Sequence, residues 1–170
     1  MFKNDRPKIK IPYSRKHLFI DIFTFLGILS MATAVFVASK YVPEKVPMHF
    51  DLAGNPDGFG SPGEFLILSL LLPGTLFLIW NILLAARFFP RIINYPVEIN
   101  EANAAIQYKL AGELLYNLKI SLVLLFMCIE TLIIQSAFSG RMNGTILIIT
   151  ALIPTIYSVV IFTIRSIRNK

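Results

Sequence analysis

The chain has 170 residues, of which 55% are apolar and 15% charged, where soluble domains run near about 45–50% and about 25%. With a mean hydropathy of +0.67 and 14 Phe against one Trp, this is a membrane composition and speaks against a soluble enzyme. The single cysteine, Cys128, lies in an apolar run, which excludes an intrachain disulfide and a cysteine-rich metal site. The net charge of +6 does not point to nucleic acid, because Lys and Arg gather at the chain ends and beside apolar runs. Such placement orients a membrane protein.

Four stretches, 18–39, 65–86, 114–138 and 145–164, approach the roughly 20 apolar residues that a hydrocarbon layer of about 30 Å requires. No repeat or low-complexity segment interrupts them, and the longest polar connection, 87–113, is too short for a second domain. The expectation is a single membrane domain over 1–170, an all-α membrane protein. Its architecture would be a four-transmembrane-helix bundle with a short, hairpin-like extracytoplasmic loop at 40–64. Six basic residues precede the first span (Lys3, Arg6, Lys8, Lys10, Arg15, Lys16), three lie at 87–113 (Arg87, Arg91, Lys109) and three follow the last span (Arg165, Arg168, Lys170). The other connections hold only Lys40, Lys45 and Arg141. By the positive-inside rule both termini are cytoplasmic and the loop at 40–64 faces out, in a cell (inner) membrane. Val37-Ala38-Ser39 is faintly like a signal-peptide cleavage site, but the apolar run before it exceeds the roughly 7–15 residues of a signal peptide, so it is expected to stay uncleaved.

In the first span Asp21 lies near the inner face, and Ser30 and Thr33 lie near mid-membrane. The following loop carries the most specific signal. Val46-Pro47-Met48-His49-Phe50-Asp51 alternates, which puts Val46, Met48 and Phe50 on one face of an extended segment and Pro47, His49 and Asp51 on the other. His49 and Asp51 then stand about 6.5–7 Å apart along the strand. Asn55-Pro56-Asp57-Gly58 has type I turn preferences at its first, second and fourth positions, which predicts a reversal there that brings Asp57 back to His49. The same residue types serve a well-made turn. Architecture, partner binding at His49, Asp51, Asn55 and Asp57, and metal ligation by His49, Asp51 and Asp57 therefore all stay open at this point.

Pro47, His49 and Phe50, followed by Gly54, Pro56, Asp57, Gly58, Phe59, Gly60 and Ser61, form a pattern that resembles the signature loop of a bacterial membrane family of unknown function, related to the N-terminal half of SdpI-type immunity proteins. Pro62 stands where that family often has Lys. The segment Asn94-Tyr95-Pro96-Val97, with Glu101, Asn103, Gln107 and Tyr108, is similar to the family's cytoplasmic-loop pattern. The resemblance implies a multi-pass interaction or sensor protein, with toxin immunity or peptide or ligand sensing through the outer loop.

In the second span Asn81 falls at the depth of Asp21, and Pro73-Gly74 predicts a kink. Asn100 is a candidate helix cap, with Ile106, Leu110 and Leu114 carrying the helix through Gly112 into the third span. Lys119 in that span reaches the depth of Asp21 and Asn81, which predicts an Asp21–Lys119 ion pair with Asn81 beside it. Glu130 lies about 12 Å from the outer end of the span, near mid-membrane, where an ionised carboxylate costs several kcal/mol. It is expected to face the bundle, protonated or hydrogen-bonded. Pro154 predicts a second kink, in the fourth span.

Three readings follow. In the first, the outer loop engages a peptide or protein partner. In the second, the chain is a transporter or channel component with a polar path around Glu130. The third is a metal-dependent membrane enzyme at His49, Asp51 and Asp57. No His-Glu-x-x-His or Ser/His/Asp pattern supports hydrolysis, and His17, the other histidine, lies across the membrane, so the expectation is no enzyme and no cofactor. The expected partners are the lipid bilayer and a peptide or protein at the outer loop, without nucleic acid; an oligomer stays open.

Overall fold

The structure, a computed structural model, describes residues 6–10, 13–51, 53–142 and 144–170, with the backbone alone at 145–148. Lys3, counted above among the basic residues, lies outside them. Four helices are long and apolar enough to cross a membrane: α1 (Arg15–Ala38), α2 (Pro62–Ala86), α3 (Ala104–Ser139) and α4 (Thr145–Arg168), the last qualifying over Ile149–Arg168. Between α1 and α2 two short strands, β1 (Val46–Phe50) and β2 (Pro56–Gly60), pair antiparallel.

The helix starts follow from local chemistry. At α2, Ser61 and Glu64 form a reciprocal capping box: Ser61 N–H donates to Glu64 Oε2 at 2.6 Å, and Glu64 N–H donates to Ser61 Oγ at 3.3 Å. Pro62 fills the first helical position, where a missing N–H costs nothing. α3 begins at Ala104 and not at Asn100, because Asn100 and Asn103 close a turn on each other. Asn100 Oδ1 accepts from the N–H of Ala102 and Asn103, and Asn103 Oδ1 accepts from the N–H of Asn100, all at 3.0 Å. α2 and α4 continue through Pro73 and Pro154 as single helices.

With 36 residues, α3 is about 54 Å long at 1.5 Å per residue, well beyond the hydrocarbon layer. It packs against α1, α2, α4 and β1 and is the spine of the molecule. Around it the core is layered. Ala38, Val46, Phe65 and Ala137 fill the hairpin end. Ile28, Met31, Leu76 and Val123 fill the middle, with Trp80 against them. Leu110, Ala111 and Phe162 pack at the terminal end. Ile67, Leu71, Leu78 and Ile82 of α2 are all more than half exposed, the outward face a hydrocarbon solvent would cover.

Candidate functional site

The hairpin reverses earlier than its sequence suggests. Asp51 N–H donates to the Asn55 carbonyl at 2.9 Å and Gly54 N–H to the Asp51 carbonyl at 3.0 Å. Asp51 Oδ1 accepts from the N–H of Ala53 at 2.9 Å and of Asn55 at 2.8 Å, and its Oδ2 accepts from the Asn55 side-chain amide at 3.2 Å. These bonds, led by those from Asn55, hold the Asp51 carboxyl below its ordinary range. Asn55-Pro56-Asp57-Gly58 is therefore not the turn. Pro56 opens β2, a position where the ladder does not need its N–H. Gly54 sits at φ +81° and a Cβ there would come within 2.5 Å of the Met142 carbonyl oxygen, so the turn requires glycine. Met142 N–H also donates to the Gly54 carbonyl at 3.1 Å, which docks the hairpin tip onto the α3–α4 connection.

Strand pairing, not the turn, brings Asp57 to His49. His49 lies opposite Gly58, where a Cβ would approach the His49 Cβ to 3.0 Å. His49 Nδ1 and Asp57 Oδ1 meet at 2.5 Å, with side chains 76% and 48% exposed. With Nδ1 turned to the carboxylate, Nε2 has no partner among the described residues and faces solvent. The register shift between Pro47 and His49 changes the alternation: Pro47, expected on the outward face with His49, is buried beside Val46. Pro47, Met48 and Phe50 instead line a mostly apolar cavity of about 160 Å³ with Phe65, Ser69 and Ile133. The hairpin thus has an outward side that carries His49, Asp57 and the exposed Phe59, and an apolar side turned to the helices. Among the described residues no group of three or more His, Cys, Asp or Glu side chains is placed to hold a metal ion. Asp51, spent on its own turn, does not complete a ligand set with His49 and Asp57.

At the opposite end, Lys119 Nζ meets Asp21 Oδ1 at 2.5 Å. Asn81 is not beside them; it is exposed and donates to the Phe77 carbonyl of its own helix at 2.7 Å. Its depth matches Asp21 but its direction around α2 does not. The place assigned to it is taken by Arg87, whose Nη1 lies 3.7 Å from Asp21 Oδ2, while the Tyr13 hydroxyl donates to the same oxygen at 3.1 Å. Sequence reading counted Arg87 for orientation only, although its place at the end of α2 and that of Asp21 near the start of α1 bring them to one level. Lys119 lies over the rings of Trp80 and Tyr116, and Trp80 Nε1 donates to the buried Thr24 hydroxyl at 2.9 Å.

Glu130 is 2% exposed on α3, and neither carboxyl oxygen has a hydrogen-bond partner among the described residues. Lys119 and Glu130 are 11 residues apart, about three helical turns, and so share one buried face. Gln107 is a clasp: its Nε2 donates to the carbonyls of Ser166 and Asn169, both at 2.9 Å, and its Oε1 accepts from the Ser166 hydroxyl. The Tyr95 hydroxyl donates to the Pro90 carbonyl at 3.1 Å, and burial pushes its ionisation above the ordinary tyrosine range. Asn94 and Pro96 beside it are exposed. The Tyr108 hydroxyl donates to the Pro7 carbonyl at 3.0 Å. Through Gln107 and Tyr108 this second group knits the terminal segments to α3.

Residues 25–72 match a family described as a domain of unknown function (DUF1648). The match takes in most of α1, the whole hairpin and the first half of α2, and stops short of Asn94–Tyr108, Lys119 and Glu130. No curated protein and no solved structure matches the chain. The chain is a multi-pass membrane protein, and its residues 25–72 are similar to this domain of unknown function.

Proposed function

We propose that the chain is a membrane interaction protein whose hairpin is the partner-binding element, and that it has no catalytic role. One observation carries the reading: the His49–Asp57 pair is formed on the exposed side of a tightly built hairpin, with Nε2 facing solvent. A histidine oriented by a carboxylate offers a fixed hydrogen-bonding atom to an incoming group. The resemblance of the loop to that of SdpI-type proteins supports a peptide, including a peptide toxin, as the partner class. In this reading the hairpin faces outward and both termini face the cytoplasm of a bacterial cell, in keeping with the basic residues at the terminal end. Immunity is then interception of the peptide at the membrane surface.

The test has two arms. In a Cys128→Ser background, a reagent that cannot cross membranes labels Ala53→Cys and spares Ala102→Cys in intact cells; the reverse pattern ends the orientation. Cells expressing the wild-type chain are then challenged with a panel of membrane-active peptide toxins. Protection that His49→Ala and Asp57→Ala both abolish, at unchanged protein level, supports the reading, and protection that survives both changes contradicts it.

Glu130 favours a second reading, a transporter or channel component. A carboxyl held inside the bundle without a partner among the described residues is costly, and an ion or polar ligand bound there would offset that cost. Glu130→Gln abolishes flux in that reading while leaving the hairpin's activity intact. The metal-dependent enzyme is the less favoured reading, because among the described residues Asp51 does not join His49 and Asp57 in a group of three ligands.

A further inference from the structure

The cluster at the terminal end is unbalanced. Two cations, Lys119 and Arg87, share the single carboxylate of Asp21, at 2.5 Å and 3.7 Å. Lys119 is 99% withdrawn from water and spends its charge on Asp21. Arg87 carries the excess. Its Nη1 meets the Tyr116 hydroxyl at 3.3 Å and the more distant Asp21 oxygen, the Tyr13 hydroxyl is a further hydrogen-bond partner of the guanidinium, and its Nε is buried with no partner among the described residues. A guanidinium has five N–H donors in a planar fork, so this one holds donor capacity that the protein leaves unused.

The surroundings narrow what would use it. Arg87 follows the last residue of α2, the level at which a spanning helix leaves the hydrocarbon. Its guanidinium lies 4.0 Å over the Tyr13 ring and 4.5 Å over the Phe88 ring. Phe88 and Phe89, the next residues, are 64% and 55% exposed. Tyr13, exposed beside the guanidinium, is a ring type that gathers at the boundary between headgroups and acyl chains. Arg15 and Lys16, exposed in the first turn of α1, add positive charge at the same level. A cation with spare donors beside exposed phenylalanines matches a molecule that is anionic at one point and apolar next to it.

We propose that Arg87 is the centre of a binding site for an anionic phospholipid, its guanidinium taking the phosphate while Phe88 and Phe89 lie along the acyl chains. Free phosphate has the same anion chemistry but nothing to cover two exposed phenylalanines, so the lipid is the occupant. Bound there, the phosphate supplies a second negative charge that the described residues of the cluster do not, and charge-assisted bonds to a guanidinium fork are of the strong kind. The site lies outside the matched domain and opposite the hairpin, and it does not depend on what the hairpin binds.

The test is lipid binding by the purified full chain, read by native mass spectrometry in a non-ionic detergent with phosphatidylglycerol, phosphatidylcholine or inorganic phosphate added. Wild-type protein retains phosphatidylglycerol in preference to phosphatidylcholine, and Arg87→Gln weakens that retention about tenfold. Arg87→Lys keeps the charge and loses the fork, and gives an intermediate loss. Arg168→Gln, a change to an exposed basic residue away from the cluster, leaves retention within about twofold. Equal retention of the two lipids by the wild type overturns the proposal. So does an equal loss in Arg168→Gln and Arg87→Gln, which reports diffuse attraction to a basic end, and so does inorganic phosphate competing at the concentration of the lipid. Should Arg87→Gln fail to fold, Arg87→Lys carries the test, and unchanged retention by that variant overturns the site.

Discussion

At the hairpin end His49 and Asp57 meet at 2.5 Å with side chains 76% and 48% exposed; at the terminal end Lys119 and Asp21 meet at the same distance with side chains 1% and 9% exposed. Distance alone would rank the two pairs equal. Water separates them. An exposed pair gains little over its hydrated state, with a typical worth of about 0–1 kcal/mol. A buried pair has lost its hydration, and removing one partner strands the other at a cost of about 3–5 kcal/mol. The buried pair is therefore committed to holding α1 against α3, whereas the exposed pair is free to act on something outside the chain. The loop geometry agrees. The hairpin is fixed by Gly54, by the bonds to Asp51 and by its docking on Met142, none of which uses His49 or Asp57.

The contrast is broken most directly at the buried pair. Asp21→Ala leaves Lys119 without its carboxylate and lowers the unfolding free energy by about 3–5 kcal/mol in mixed micelles. Lys119→Met costs less, because Asp21 keeps Arg87 and the Tyr13 hydroxyl. Equal and small losses in the two variants would show that the pair is hydrated after all. Next in size is Gly54→Ala. It imposes a Cβ at positive φ and 2.5 Å from the Met142 carbonyl oxygen, and the expected loss is about 1–3 kcal/mol. It also removes the slow hydrogen exchange of the Met142 amide, which reads the docking of the tip; retained protection would mean that the tip is held elsewhere.

A smaller effect tests how the turn is held. The Asp51 carboxyl is kept below its ordinary range by N–H groups that bond its charged form, so its contribution is present above the ordinary aspartate range. It is lost only as the pH falls through the lowered value. Amide exchange at Ala53 and Asn55, corrected for intrinsic pH dependence, is thus expected to stay protected down through the ordinary range and to open below it. In Asp51→Asn, which cannot ionise, the protection no longer follows pH; an unaltered pH response in that variant would assign it to another group.

The four spans were legible because an apolar run long enough to cross a membrane has few other uses, and the hairpin because alternation and turn formers agreed. What misled was the sharing of one residue type between two roles. Asn55-Pro56-Asp57-Gly58 has turn preferences, yet the Asp51 carboxylate and the positive φ of Gly54 close the turn earlier, and Pro56 then starts a strand. Pro47 was placed outward by strict alternation, which a register shift breaks. Helix rise brings Asp21 and Lys119 to one level, as their ion pair shows, but carries no information on azimuth, and Asn81 does not face them. Arg87 was missed because a basic residue at a span end already has an explanation in the orientation rule. The Ser61-to-Glu64 capping box is readable from spacing alone.

The smallest effect bears most directly on the central claim, that His49 and Asp57 are presented by the fold and not needed by it. A double-mutant cycle of His49→Ala and Asp57→Ala, measured as unfolding free energy in mixed micelles, isolates the worth of their contact. The account predicts a coupling of about 1 kcal/mol or less. A coupling of about 2 kcal/mol or more would contradict it and make the pair a clasp of the hairpin.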